Sequence, residues 1–470
     1  METYTAVVIG AGPAGQSCAV RLAELGAKVA IVERDYIGGI CTNWGCTPSK
    51  AMIESAKVAK EVAHSGAYGI KVRDYDIDFP FIAQRRDAVV EHTRESITQL
   101  LEHHQIDIFH GEAVVQSPQE VNIRFGKLNN KNYAMDYTGD ERVLQTDNIV
   151  LATGSKPLIP GFIDQHDPTI VSSNRLITID SLPESLTIVG GGVIGLEFAT
   201  IFSNLGSKVT IIELLPRVLA QLDPDISSEI TRIMEENGVR VRTNHKVIGL
   251  KNGTLKAENQ KTGEVVEIQS EMTLIAIGRS AVLQEGMYDQ IGLDYSRHGV
   301  TVDETLRTSI PNIWAVGDTT GKSILAHCGI QQGIICAENI MSQDGRQRKM
   351  DYNTIPAVVY SLPEIISIGQ VPEDLKDVRV VKVPFAINLR ANIEGHTRGF
   401  IKLWIRDGKI QAAQAIGYMV SEILQELVNM VALQTPIAEV TNIVHAHPTY
   451  AEIIRSALDF AEDKAVDFYL

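Results

Sequence analysis

Two stretches of the chain carry the same order of apolar and small residues. Residues 6–33, AVVIGAGPAGQSCAVRLAELGAKVAIVE, align without a gap on residues 186–213, LTIVGGGVIGLEFATIFSNLGSKVTIIE, at a constant offset of 180. In each copy an apolar β-branched run (Val7 to Ile9, Thr187 to Val189) stops at glycines. A stripe at helical spacing follows (Ala19, Leu22 and Ala23; Ala199 and Phe202), a Gly closes the helix, and a second apolar run ends in Glu. The pattern predicts strand, tight turn, helix and strand, built twice.

The turn in each copy reads G-x-G-x-x-G: Gly10, Gly12 and Gly15, then Gly190, Gly192 and Gly195. The first glycine permits the bend, the second lets backbone N–H groups approach a pyrophosphate, and the third lets helix pack on strand. Glu33 and Glu213 each lie 23 positions beyond the first glycine, close to the spacing of about 20 at which an acid meets a ribose 2′-hydroxyl. One such turn is weak evidence; two, each with its strand, helix and terminal acid, predict two dinucleotides. At Glu213 a carboxylate would repel a 2′-phosphate, which favours NAD over NADP.

Elsewhere the texture changes. Residues 111–148 alternate short β-type runs with the turn clusters Asn129-Asn130 and Thr138-Gly139-Asp140, ending in a buried strand through Ile149, Val150 and Leu151 into Ala152-Thr153-Gly154. Residues 241–277 repeat this, with Lys251-Asn252-Gly253 as a hairpin turn and Leu274 to Gly278 as the closing strand. From residue 351 strands near Val358–Tyr360 and Phe400–Trp404 precede helices, one with Val420, Ile423, Leu424, Leu427, Val428 and Val431 on one face. The expected fold class is α/β: two Rossmann-like nucleotide-binding domains and a C-terminal α+β domain. The expected divisions are 1–155, 156–281, a return to the first domain over 282–350, and 351–470.

Composition narrows the functional classes. The 470 residues are 44% hydrophobic and 21% charged, as in a globular protein of about three domains. A formal net charge of -15 gives little support to a nucleic-acid surface, and no apolar run approaches the roughly 20 residues of a membrane span. The first residues lack a basic region followed by a cleavable apolar core, so a cytoplasmic location is expected. Five scattered cysteines cannot form a disulfide framework, so any disulfide is expected to be a working one.

Directly after the first repeat comes GGICTNWGCTPSK, residues 38–50. Its C-x4-C spacing, Cys41 to Cys46, suits neither a zinc knuckle nor a C-x-x-C pair. On a straight helix the two Cα atoms would lie roughly 8–9 Å apart, outside the about 4.4–6.8 Å that a disulfide tolerates. The segment must bend if the pair bonds. Gly45 can supply the irregularity, and Pro48 suits the first turn of a helix that places Cys46 near exposed N–H groups, where a thiolate is stabilised. Two unrelated buried cysteines remain the plainer alternative at this point.

The segment resembles the redox-active stretch of the flavin disulfide reductases, and further motifs of that family follow in order: Ala152-Thr153-Gly154, the second glycine turn, Asn312 to Asp318, Ala326-His327, and His445 to Glu452. The resemblance covers essentially the whole chain. It implies FAD on the first unit and NAD on the second, a Cys41–Cys46 disulfide with Cys41 the more exposed sulfur and Cys46 against the flavin, and Lys50 near the flavin paired with Glu197. His447 would be the thiol base, oriented by Glu452 one turn inside a helix. Thr449 and Glu452 also fit a capping box, in which Glu452 would bind backbone alone. Cofactor contacts are implied for Gly10, Gly12, Gly15, Glu33, Lys50, Ala113, Thr153, Gly154, Asp318, Ala326 and His327 with FAD, and for Gly190, Gly192, Gly195, Glu213, Val247 and Gly278 with NAD. No metal is expected.

In the family the His-Pro-Thr segment serves the neighbouring subunit, so a homodimer is implied. The implied activity is oxidation of a protein-bound dihydrolipoyl arm by NAD, with a lipoylated carrier protein as partner, from a 2-oxoacid dehydrogenase complex, glycine cleavage or another lipoyl system. Glutathione reductases share the cysteines but use arginines for NADP, and mercuric reductases carry a C-terminal cysteine pair where this chain ends Asp467-Phe468-Tyr469-Leu470. A flavin-binding subunit without turnover is the alternative from another class. The chain departs from the family at Ile40, Thr42, Trp44, Thr47, Cys328, Gly329 and Gln332, and at Ser280-Ala281. His445 is expected to be structural, Cys18, Cys328 and Cys336 to be packed thiols, and His103 and His104 to face solvent.

Overall fold

The computed structural model describes residues 3–129, 134–164 and 166–464. Asn130 and the terminal Asp467 to Leu470 lie outside them. Strand β1 (Thr3–Ile9), helix α1 (Pro13–Glu24) and strand β2 (Val29–Glu33) form the first repeat, with β1 and β2 parallel and Ala6 opposite Val29. Helices α2 (Gly39–Trp44), α3 (Cys46–His64) and α4 (Phe79–His103) follow, then β3 (Asp107–Ser117), β4 (Glu120–Asn129) and β5 (Ala134–Leu151). β5 lies parallel to β1, with Ile9 opposite Leu151, and the chain returns after the second unit to add strand Ile313–Ala315 beside β5. All five residues of β2 are buried, as a parallel sheet covered on both faces requires.

The second repeat builds a five-stranded parallel sheet, ordered 240–242, 208–212, 185–189, 272–275 and 170–172. A three-stranded antiparallel sheet flanks it, its hairpin closed at Asn252 and Gly253, both at positive φ (49° and 73°), the pair that a tight two-residue turn demands. The C-terminal unit is a five-stranded antiparallel sheet over residues 357–417, packed by helix Val420–Leu433, whose Val420, Ile423, Leu424, Leu427 and Val431 are buried. No helix among the described residues is long and apolar enough to cross a membrane.

One expected turn is a strand instead. Thr138-Gly139-Asp140 lies within β5, where the register with β4 slips and Gly139 takes φ 89°. Pairing on both sides carries the strand through the polar cluster as a bulge.

Both glycine turns close by backbone contact. A Cβ on Gly10 would meet the Ala152 carbonyl oxygen at 2.3 Å, and one on Gly190 the Ala276 oxygen at 2.4 Å. The helix Ala326–Ile340 packs equally tightly on α1: a Cβ on Gly333 would lie 2.3 Å from the Ala14 carbonyl oxygen and 2.9 Å from the Cys18 nitrogen. Cys18 and Cys336 share a thiol hydrogen bond across this seam, and all three of Cys18, Cys328 and Cys336 are buried.

Between the second and third units, Lys402 Nζ meets Asp223 at 2.9 Å and Asp225 at 3.0 Å, and Gln414 accepts the Asp223 N–H at 2.9 Å. Gly333→Ala should force α1 away from its partner helix and cost about 1–3 kcal/mol of stability, as overpacking does. Urea denaturation checks this, and an unchanged midpoint would mean the seam has slack.

Candidate active site

The chain bends where the cysteine spacing requires it. α2 ends at Trp44, Gly45 takes φ −130° and ψ −110°, and α3 starts at Cys46. A Cβ on Gly45 would lie 3.0 Å from the Ile40 carbonyl oxygen, so the bend leaves little space for a side chain. Pro48 falls in the first turn of α3, where its missing N–H goes unneeded.

Both cysteines are free thiols in the structure, and they are hydrogen-bonded to each other. That bond lowers the Cys46 thiol to about 7, helped by the Lys50 ammonium and opposed by burial and by Glu197. The Cys41 thiol, as donor, is pushed up by the same bond and by burial. The pair is therefore asymmetric, with the anion on Cys46 at the amino end of a 19-residue helix.

Within the protein chain alone, Cys46 is exposed and Cys41 is half-buried. The reason is local: Cys46 opens the first turn of α3, while Cys41 lies inside the short α2, whose Thr42 and Asn43 are 4% and 5% exposed.

One turn beyond Cys46, Lys50 Nζ meets Glu197 at 2.9 and 3.0 Å. Glu197 is 7% exposed and lies on the helix Val193–Asn204 of the second repeat, so the pair joins the two nucleotide units. Tyr360 adds the third unit. Its N–H donates to Glu197 Oε1 at 3.1 Å, and its ring centroid lies 4.4 Å from Lys50 Nζ. Sequence patterning shows Tyr360 as a strand residue only.

The His-Pro-Thr segment lies on the C-terminal unit. His447 Nδ1 is 2.8 Å from Glu452 Oε1, while Oε2 accepts the Thr449 N–H at 2.8 Å. Glu452 thus serves both candidate partners at once. Its helix is Glu452–Ala461, so Glu452 is the first helical residue and not one turn inside, because the chain from Ala446 to Ala451 is turned by side-chain bonds such as Thr449 Oγ1 to the Ala446 carbonyl. The His447 side chain is 64% exposed, and within one chain it has no hydrogen bond to either cysteine. His445, only 10% exposed, is held by Glu426 at 3.1 Å, and His103 stacks edge-on with His104 at the end of α4.

The two cradles fit dinucleotides by shape and by donor supply. Gly12 and Gly192 cap α1 and Val193–Asn204 with no side-chain cap bond, which leaves helix-end N–H groups open to a pyrophosphate. A Cβ on Gly15 or Gly195 would strike the carbonyl of Gly10 or Gly190 at 1.9 and 2.0 Å. Glu33 accepts the N–H groups of Ala11 (2.8 Å) and Asp35 (2.9 Å), and Glu213 those of Gly191 and Leu215 (2.7 Å), so each acid is fixed at the end of its second strand.

Thr153 and Gly154 both bond Thr319 Oγ1, at 2.9 and 2.8 Å, and the Ser155 hydroxyl donates to Asp318, whose carboxyl burial pushes up. Arg279 donates to the Ser155 hydroxyl at 2.8 Å and its carbonyl at 2.9 Å. Ser155 and Arg279 were visible only as the residues after Gly154 and Gly278. Ala326 opens its helix, the His327 ring turns away to the Pro356 carbonyl at 2.7 Å, and the fully buried Gln332 accepts the Gly317 N–H and donates to the Tyr352 hydroxyl at 2.9 Å. The Ala113 carbonyl accepts from Gln284 at 2.8 Å, Val247 lies half-buried in strand His245–Lys251, and Gly278 takes φ 133° after the 272–275 strand. No group of three or more metal-ligating side chains occurs among the described residues.

A model described as pyridine nucleotide-disulphide oxidoreductase matches residues 4–333, and its dimerisation domain matches residues 355–458. The chain belongs to the pyridine nucleotide-disulphide oxidoreductase family. It is 33% identical over 461 residues to a dihydrolipoyl dehydrogenase of Chlamydia muridarum, covering 96% of this chain and 95% of that one. It is 35% identical over 471 residues to that of Geobacillus stearothermophilus, with 98% and 96% covered. Among solved structures it is similar to the Cu(II) complex of the HOCl-induced flavoprotein disulfide reductase RclA of Escherichia coli, with a TM-score of 0.85 at 26% identity, covering 98% of this chain and 100% of that one.

The protein is accordingly a flavoprotein oxidoreductase that binds FAD and NAD(H), uses a redox-active disulfide and assembles as a homodimer through its C-terminal domain.

Asp35 was not singled out by its sequence context. One of its carboxylate oxygens is buried without a partner, and burial together with the neighbouring Glu33 raises the group from 3.8 to about 7, against Arg34 and Arg94. A carboxyl raised by folding stabilises at low pH and loses that contribution as pH rises from 3.8 through about 7. Asp35→Asn should therefore gain on the wild type across that window, by about 1–3 kcal/mol once solvent screening is allowed for. Thermal melts from pH 4 to 8 measure it; a pH-independent difference would refute the assignment.

Proposed function

We propose that the protein oxidises a dihydrolipoyl group borne on a carrier protein and passes the electron pair to NAD through a Cys41–Cys46 disulfide. The observation that carries this is the two free thiols on either side of the Gly45 break, with Cys46 at the amino end of its helix and Lys50, one turn on, held by Glu197. Such a pair leaves one sulfur to exchange with substrate and the other as a stable anion. The dihydrolipoyl dehydrogenases among the relatives support the choice of substrate, and Glu213 supports NAD.

In this reading an incoming dithiol attacks the oxidised pair at Cys41. One substrate S–H loses its proton to His447, a mixed disulfide forms as the Cys41–Cys46 bond breaks, and Cys46 leaves as thiolate. The second substrate sulfur then displaces Cys41, its proton passing to the departing Cys41 sulfur while the first proton stays on His447. The substrate ends as a cyclic disulfide and the protein as a dithiol. Bound FAD supplies two-electron transfer between that dithiol and NAD. With Nδ1–H donated to Glu452, the His447 ring presents Nε2 as the basic atom, and its exposure lets it face the disulfide of the neighbouring subunit. Lys50, pinned by Glu197 and Tyr360, holds positive charge at the Cys46 thiolate. Gly12 and Glu33 would hold the FAD pyrophosphate and adenosine ribose, and Asp318 its flavin side.

NAD reduction should proceed with free dihydrolipoamide and faster with at least one member of a panel of lipoylated carrier proteins. Activity with none of them would remove the dihydrolipoyl reading and leave a flavoprotein disulfide reductase of another substrate, the class named for the RclA structure. His447→Gln should slow reduction of the flavin by dithiol about 10²–10⁴-fold and spare reduction by NADH. Stopped-flow absorbance separates the two half-reactions, and equal losses in both would remove His447 as the thiol base.

A further inference from the structure

Within its own chain the exposed His447 ring is held by Glu452 and by the backbone on either side. Upstream, Ile443 and Val444 are 57% and 89% exposed, and the first anchor is the His445–Glu426 bond. Downstream the anchoring is dense. Tyr450, 9% exposed, donates its hydroxyl to Glu394 Oε2 at 2.8 Å, and its ring lies against Phe385 and Tyr418 with centroids 6.5 and 5.7 Å away. The Thr449 carbonyl accepts from Asn388 at 3.0 Å. Glu394 is itself fixed: Arg390 pairs with its other oxygen, and its carbonyl accepts the hydroxyl of Tyr68, which follows α3. Tyr418 stacks on His396 at 3.8 Å and lies beneath Lys57 of α3 at 5.1 Å.

We infer that Tyr450, held by Glu394, is a positioning residue that sets the place of the His447 imidazole. The inference rests on the reading of His447 as thiol base. The bond fixes the backbone immediately before Glu452, whose two oxygens then hold Thr449 and the imidazole in one arrangement. Because the Glu394 carbonyl also accepts the Tyr68 hydroxyl, the turn that ends the Cys46 helix of one subunit helps to aim the base that serves its neighbour.

The test uses the FAD-loaded dimer with dihydrolipoamide as probe and compares wild type, Tyr450→Phe, Glu394→Ala, Glu394→Gln and His447→Gln. Tyr450→Phe and Glu394→Ala should lower kcat for dithiol oxidation about ten-fold, as loss of a hydrogen bond to a charged acceptor does, with KM changed by less than about two-fold. Glu394→Gln, which keeps an acceptor for Tyr450, should restore most of the rate. FAD content and flavin reduction by NADH should be unchanged in all of them. A Tyr450→Phe enzyme with wild-type kcat while His447→Gln is slow would overturn the inference, as would equal loss in the NADH half-reaction. If His447→Gln leaves dithiol oxidation intact, the thiol-base reading fails and this inference falls with it.

Discussion

A straight helix cannot bring Cys41 to Cys46, so the break at Gly45 is the constraint on which the centre depends. Continuous helix would hold the two Cα atoms roughly 8–9 Å apart and point the sulfurs in different directions. Stopping α2 at Trp44 and restarting at Cys46 gives the second cysteine open N–H groups and turns the first towards it. The asymmetry of the thiols follows from that geometry. One accepts a hydrogen bond near a lysine and becomes acidic; the other donates and stays protonated.

The charge that steadies the acidic thiol is held in place by three units of the fold. Lys50 comes from the first, Glu197 from the second and Tyr360 from the third. Glu197 is 7% exposed while the Lys50 side chain is 34% exposed, so it is loss of Lys50 that would strand a charge in the interior. The ion pair is therefore worth more for register than for stability. It fixes how the two nucleotide cradles face one another across the cysteines, while the Lys402–Asp223–Asp225 cluster ties the second unit to the third.

Legibility in the sequence followed the range of the forces involved. The glycine turns were legible because their requirement is local: Gly10 and Gly190 need positive φ and a bare Cα, and each leaves that mark on the chain. The Gly45 bend was legible for the same reason. Tyr360, Arg279, Ser155 and Asp35 were not, since each acquires its role from partners far along the chain or from burial that no periodicity encodes. The Thr138–Asp140 bulge was mistaken for a turn because its residues favour one, while pairing with β4 decides otherwise.

The seam between α1 and the helix Ala326–Ile340 has a wider consequence. Gly329 and Gly333 bring the two backbones nearly into contact, and Gln332 on the same helix grips Gly317, next to Asp318. The amino end of α1 and the Gly317–Asp318 loop are thus parts of one rigid bracket, like the two jaws of a fixed gauge. A molecule that reached from one to the other would meet its two contacts at a separation set by the packing of the two helices.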